Sequence, residues 1–272
     1  MKKSVLIATM MLLLLPIQFS YAQTEKYVIY PVPHSTMNDG STKMTGKVNV
    51  VCESTIDKIT KDRLTSVLAV HGIETVFEGT DENSLTICLG TIGSGESVES
   101  HAINELGLTT SRILVSKKYD RHAIKVHENG VTVLGEHTNA VFCALASLEQ
   151  MLEQVDDNTL SHSTIYDYAD QQNRGLVEGY YGYPYSVEVK KDLMRFMMRY
   201  KMNTYMFGAK SDPYHSQMWK DAYPTSISAQ QEKNGWLTQK MVEDIAKVSE
   251  ETKVNFIWAI HPGNEFLGSN SV

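Results

Sequence analysis

Basic surface is scarce in this chain. Its 272 residues carry 25 lysines and arginines against 32 aspartates and glutamates, a formal net charge of -7. No segment concentrates the basic residues into a stripe. With no stripe to neutralise phosphates, nucleic acid is not expected as a partner. Acidic runs are missing as well, which excludes a charged solvating tail. Cysteine is rare: Cys52, Cys88 and Cys143 sit at spacings that fit no metal-binding pattern. An odd count leaves at least one thiol unpaired. Cys88 falls in a strand pattern and Cys143 in a helix pattern, so buried free thiols are the favoured reading, with a Cys52–Cys88 bridge as the alternative. Low-complexity segments and short internal repeats are absent.

Long apolar runs are also lacking, apart from one at the start. Lys2 and Lys3 precede the run Val5 to Ile17, and Ser20-Tyr21-Ala22 supplies small residues around a cleavage position. This is the pattern of a secretory signal peptide over residues 1–22. The run is too short to span a bilayer comfortably and contains Pro16, which argues against a membrane anchor. The expected compartment is periplasmic or extracellular.

What is present divides the chain in two. In residues 23–166, Tyr27 to Tyr30, Lys47 to Cys52 and Leu85 to Leu89 read as strands. Ile56, Ile59, Leu64, Val67 and Leu68 recur at helical spacing, with Gly72 as a stop. His122 to Val126 and Val131 to Gly135 flank Asn129-Gly130, a hairpin signal because both turn positions favour positive φ. Val141, Ala144, Leu145, Leu148 and Leu152 form one helical face. This first part is expected to be a small α+β domain. The stretch Gly90 to Ser97 (GTIGSGES) lacks the Lys-Ser/Thr ending of a phosphate loop and a clear following helix, and is expected to be a flexible loop.

Thr164 to Asp170 reads as a short crossing between domains. From residue 167 to 272 the pattern alternates strand and helix. Leu176-Val177, Asn203 to Phe207 and Asn255 to Ile260 are near-continuous apolar strands, as in a parallel sheet buried on both faces. Val189, Leu193, Phe196, Met197 and Tyr200 mark the first intervening helix, and Val242, Ile245, Ala246 and Val248 the second. Three strands cannot close a barrel. The bare edge that would remain favours a truncated α/β domain over a small open sheet.

Polar and aromatic residues collect at the carboxyl ends of these strands, where βα folds place their binding sites. Glu178 could act as acid or base; bracing the turn by hydrogen bonds is preferred. Gly179 and Gly182 permit close approach of a ligand or a positive φ. Tyr180, Tyr181, Tyr183 and Tyr185 offer flat faces and hydroxyls suited to a carbohydrate. Lys210 could donate to sugar hydroxyls or pair with Asp212 or Glu178. Asp212-Pro213-Tyr214-His215 and His261 have no specific metal spacing and are read as loop-bracing residues.

Three blocks, RGLVEGYYGYPYS, YKMNTYMFGAKSDPYH with the nearby WKDAYP, and FIWAIHPG, resemble family 84 glycoside hydrolases, the O-GlcNAcase-like and hyaluronidase-type β-N-acetylglucosaminidases, in order and approximate spacing. The first domain is similar to the small domain that precedes the catalytic barrel of such enzymes. The resemblance implies a (β/α)8 TIM barrel of which three βα units are present here. It implies retaining hydrolysis of terminal β-linked N-acetylglucosamine, in which the substrate's acetamido oxygen attacks the anomeric carbon. It implies no cofactor and no metal. Carried over, Gly179 matches a glycine whose backbone meets the sugar, Lys210 a lysine bonded to its hydroxyls, and Tyr181 an aromatic lining the pocket. Ser211 stands where the block has its first aspartate. The family's catalytic Asp-Asp pair follows a fourth strand and has no counterpart here, since Asp156-Asp157 belongs to the first domain. No catalytic residue is therefore assigned, and the 272 residues alone are expected to be inactive. Expected partners are N-acetylglucosamine-containing glycans or glycoproteins. A non-catalytic glycan-binding protein is the alternative.

Overall fold

The computed structural model describes residues 27–79, 84–178, 185–207 and 239–259. The expected signal peptide lies outside the described residues. The larger of two sheets has seven strands: β1 (His34–Lys43), β2 (Lys47–Cys52), β3 (Glu74–Phe77), β4 (Thr86–Thr91), β5 (Tyr119–His127), β6 (Gly130–Gly135) and β7 (Thr159–Ala169). Their order is β1-β7-β5-β6-β4-β2-β3. β1, β7, β5 and β6 run antiparallel to their neighbours, whereas β6, β4, β2 and β3 run parallel. The helices of this part are α1 (Lys58–Val70), α2 (Ser97–Asn104), α3 (Thr110–Ile113) and α4 (Thr138–Leu152).

The main core lies where α1 and α4 cover one face. Leu64 and Leu68 from α1, and Val141, Leu145 and Leu148 from α4, meet Val48, Val50, Ile87, Leu89, Ile124, Val131 and Val133. A smaller cluster of Ala102, Leu108, Ile113, Ala123, Leu134 and Tyr166 covers the other face under α2 and α3. β6 is therefore buried along its whole length. Each such aliphatic side chain contributes about 1.5–3 kcal/mol by leaving water. Asp57 starts α1 by accepting the Thr60 amide at 2.8 Å. Gly72 ends it with φ +70°.

Several expectations need correction. Tyr27 to Tyr30 is not a strand. Side-chain amides from α4 and the turn after it stand in for a strand partner: Gln154 bonds both backbone groups of Val28, and Gln150 both of Tyr30. Thr164 to Asp170 is not a crossing. Thr164 to Ala169 belongs to β7, so the sheet runs past the boundary expected between 166 and 167. The hairpin turn residues are Glu128 and Asn129, because His127 pairs with Gly130. Gly130 is needed for another reason: a Cβ there would sit 2.0 Å from the Thr86 carbonyl oxygen of β4. The stretch after β4 is followed by α2 and is tied down. Glu99 accepts from the amides of Gly93 and Gly95 at 2.6 and 2.9 Å. Glu53, 2% exposed, accepts from Thr91 and Glu99 amides, both at 2.7 Å. All three cysteines are free and half-buried, so there is no Cys52–Cys88 bridge.

The second sheet is parallel, in the order β10-β9-β8, with β8 (Gly175–Glu178), β9 (Thr204–Phe207) and β10 (Asn255–Trp258). The connecting helices are α5 (Val187–Arg199) and α6 (Gln239–Thr252). Met194, Met197, Tyr205, Phe207, Ile245, Val248 and Val254 pack between sheet and helices. The expected burial on both faces is not seen: Val177 is 68% and Ile257 39% exposed on the face turned from the helices. The apolar face of α5 is also phased differently. Val189 and Phe196 are exposed, and Lys190, Met194 and Met197 are buried.

The amino ends of the second sheet dock on the first by ion pairs. Arg174 pairs with Asp120, Lys201 with Asp167 at 2.6 Å, and Lys253 with Asp57. A polar cavity of about 400 Å3 lies in this joint, lined by Arg63, Asn139, Lys201 and Lys253 among others. The carboxyl ends of β8, β9 and β10 point to the opposite side. Among the described residues no helix is long and apolar enough to cross a membrane.

Candidate functional site

The site builds from strand register. Glu178 pairs with Phe207, and Phe207 with Trp258. The three strands therefore end level, and the chain leaves β8 and β9 from adjacent positions of one edge. Of the residues singled out in the sequence, Gly179, Tyr181 and Lys210 lie outside the described residues. So do Tyr180, Gly182, Tyr183, Asp212, Tyr214, His215 and His261.

Glu178 is described, and its surroundings decide its role. It is 8% exposed and points into the helix layer. Its Oε1 accepts from the Lys190 ammonium at 3.0 Å and from the Tyr185 backbone amide at 2.7 Å. Its Oε2 accepts from the Tyr205 hydroxyl. With three donors on two oxygens, the carboxylate is engaged in bracing hydrogen bonds, as the preferred reading of the sequence expects.

Lys190 has no exposed surface. Its ammonium also donates to the Tyr185 carbonyl oxygen at 2.6 Å and lies 4.2 Å from the centre of the Phe207 ring. Burial first, and then the Glu178 carboxylate beside it, push the Tyr205 hydroxyl far above the ordinary tyrosine range. This favours the protonated hydroxyl that donates to Oε2. Ser186 caps α5 by accepting the Val189 amide at 3.3 Å, which sets the helix phase that turns Lys190 inward.

Lys190 and Tyr205 went unrecognised in the sequence. A signal for Lys190 existed: positions 190, 194 and 197 fall on one helical stripe, so a lysine occupied an apolar phase. For Tyr205 the signal was its same-side spacing with Phe207. Among the described residues no group of three or more His, Cys, Asp or Glu side chains could hold a metal ion.

Comparison with known proteins matches both parts. Residues 26–168 match the family model for glycosyl hydrolase family 20, domain 2. Residues 174–271 match the one for beta-N-acetylglucosaminidase. Protein O-GlcNAcase of Rattus norvegicus is 30% identical over 96 residues, 35% of this chain and 9% of that protein. The structure of CpGH84D superposes with a TM-score of 0.75 at 33% identity, covering 88% of this chain and 38% of the other. At 19% identity, an exo β-N-acetylglucosaminidase of Vibrio harveyi shares the fold, with a TM-score of 0.59 over 85% of this chain and 35% of that one. The chain thus spans about a tenth of the curated relative and under two fifths of these solved structures.

Proposed function

Since the chain belongs to the glycosyl hydrolases through the family 20 domain 2 it carries at residues 26–168, and continues into a β-N-acetylglucosaminidase-like segment, we propose that it serves the removal of terminal β-linked N-acetylglucosamine from glycans or glycoproteins. Residues 23–166 act as the supporting α+β domain. Residues 167–272 contribute the first three units of a (β/α)8 barrel, and residues 1–22 direct export to the periplasm or beyond. Gly179 and Tyr181 after β8, and Lys210 after β9, hold the sugar. Hydrolysis proceeds with retention, through attack by the substrate's own acetamido oxygen. It draws on no metal or organic cofactor. By the resemblance, the aspartates that polarise the acetamido group and move the proton follow a fourth strand, and the 272 residues tested by themselves are proposed to bind the sugar without turnover.

One observation carries the reading. β8 and β9 are parallel neighbours ending level at Glu178 and Phe207, within the segment that matches beta-N-acetylglucosaminidase. These are the strands that precede Gly179, Tyr181 and Lys210 in the sequence. The test is titration of the purified chain with N-acetylglucosamine by saturation-transfer NMR, with a chromogenic β-N-acetylglucosaminide assay alongside. Binding that Lys210→Ala abolishes, with no turnover, is expected. Absence of binding by the unaltered chain, or clear turnover, overturns the reading.

A further inference from the structure

We propose that Lys190 and Tyr205, acting through Glu178, are positioning residues for the sugar-binding edge of the sheet. The inference rests on the glycosidase reading above. The three side chains come from different elements and meet beneath the carboxyl end of β8: Glu178 on β8, Lys190 on α5, Tyr205 on β9.

Their bonds do more than satisfy one another. Oε1 of Glu178 accepts from the Tyr185 amide at 2.7 Å, and the Lys190 ammonium donates to the Tyr185 carbonyl oxygen at 2.6 Å and to the same Oε1 at 3.0 Å. Both backbone groups of Tyr185 are thereby tied to the last residue of β8. Glu178 is the residue before Gly179, and Tyr185 is the residue before the cap of α5. The ammonium fixes the two points at which the chain leaves the sheet and rejoins a helix.

Stability alone does not call for a charged pair at positions 178 and 190. Buried ion pairs are weak stabilisers, and replacing the whole pair by well-packed apolar groups is often neutral or favourable. Met194, Met197 and Phe207 already make the surroundings apolar. The directional bonds are what an apolar residue could not supply. Glu178, Tyr205 and Phe207 lie on the helix side of the sheet, so the cluster does its work from behind the edge, touching no substrate.

The test uses the full 272-residue chain and two variants. Tyr205→Phe removes one donor to Oε2 and keeps the ring. Glu178→Gln with Lys190→Met removes both charges together, which avoids stranding either one. Two quantities are read: amide hydrogen exchange in the peptide containing Tyr185, and affinity for N-acetylglucosamine by NMR titration. We expect each variant to keep the cooperative melt of the unaltered chain. Exchange at Tyr185 should rise about tenfold and sugar affinity fall about tenfold, as loss of a hydrogen bond to a charged group would cause. Folded variants with unchanged exchange and affinity would overturn the proposal, leaving the cluster a packing feature. An unaltered chain that ignores the sugar would instead overturn the glycosidase reading and the positioning role with it.

Discussion

A buried glutamate at or just after a strand end accepts backbone amides in each half of the molecule, and the two do it differently. In the first domain Glu53 takes the amides of Thr91 and Glu99, and Glu99 in turn takes those of Gly93 and Gly95. The donors are almost all backbone. The amides an anion could have used are filled by the protein's own carboxylates, so the turn after β4 is closed to ligands. In the second domain Glu178 takes one amide, one ammonium and one hydroxyl, all from the helix side. The carboxylate there supports the edge without occupying it. A glycine-rich stretch after a strand is therefore no sign of a site by itself.

Removing the cation from the second arrangement should have the largest effect. Lys190→Met leaves the Glu178 carboxylate buried with only neutral donors, at a cost of about 3–5 kcal/mol. Trp219, Trp236 and Trp258 are the only tryptophans, and all lie in the second part. Urea unfolding followed by tryptophan fluorescence should show a large drop in midpoint, while the far-UV transition dominated by the first domain moves little. Adding Glu178→Gln to Lys190→Met should recover most of the loss. If the single variant unfolds at the same urea concentration as the unaltered chain, the ion pair does not hold this edge.

The first arrangement should respond less and in the other signal. Glu53→Ala strands two backbone amides, one of them buried at Thr91, at about 1–3 kcal/mol. The far-UV midpoint should fall while tryptophan fluorescence reports an unshifted transition. Gly90→Ala should act on the same turn, because a Cβ there would lie 2.8 Å from the Glu53 carboxyl carbon. A tryptophan transition that follows the Glu53 variant would show that the two halves unfold as one.

How far these features could be read in the sequence depends on whether a pattern of burial marked them. β2 was legible to the residue, since Lys47 to Cys52 is an apolar run with clear ends. α1, α4 and the three parallel strands were legible from their periodicity. β1 was not: HSTMNDGSTK lies at a sheet edge with its side chains mostly exposed, so pairing with β7 fixes it and no apolar alternation does. Tyr27 to Tyr30 differs in the opposite sense: Tyr27 and Ile29 enter the core and Val28 and Tyr30 face out, as in a strand, but side-chain amides take its backbone. The bracing role of Glu178 could be inferred from its place before Gly179. Lys190 required the phase of α5, which depends on the Ser186 cap and was off by a residue in the sequence reading. Gly179, Tyr181 and Lys210 stand on the resemblance of their blocks.

The smallest expected effects are those of pH, and they fall in the first domain. His127 in β5 is lowered to about 4 from an ordinary 6.5, by burial first and then by the charges of His101 and His162. The unfolded chain takes up a proton through that window which the folded chain refuses. Stability of the first domain is therefore full above about 6.5 and falls as the pH drops toward about 4. With the ring half-exposed, solvent screening limits the loss to about 1 kcal/mol. Glu99 works lower. Burial alone would raise its carboxyl, but the Gly93 and Gly95 amides outweigh that and hold it below the ordinary 4.5. Its contribution is present above that value and is lost as the pH falls through the folded one. His127→Gln should flatten the far-UV melting temperature between pH 6.5 and 4, and Glu99→Gln should flatten it only below that window. Variants that shift the profile in the same pH range would mean that one shared group, and not these two, governs the acid response of the first domain.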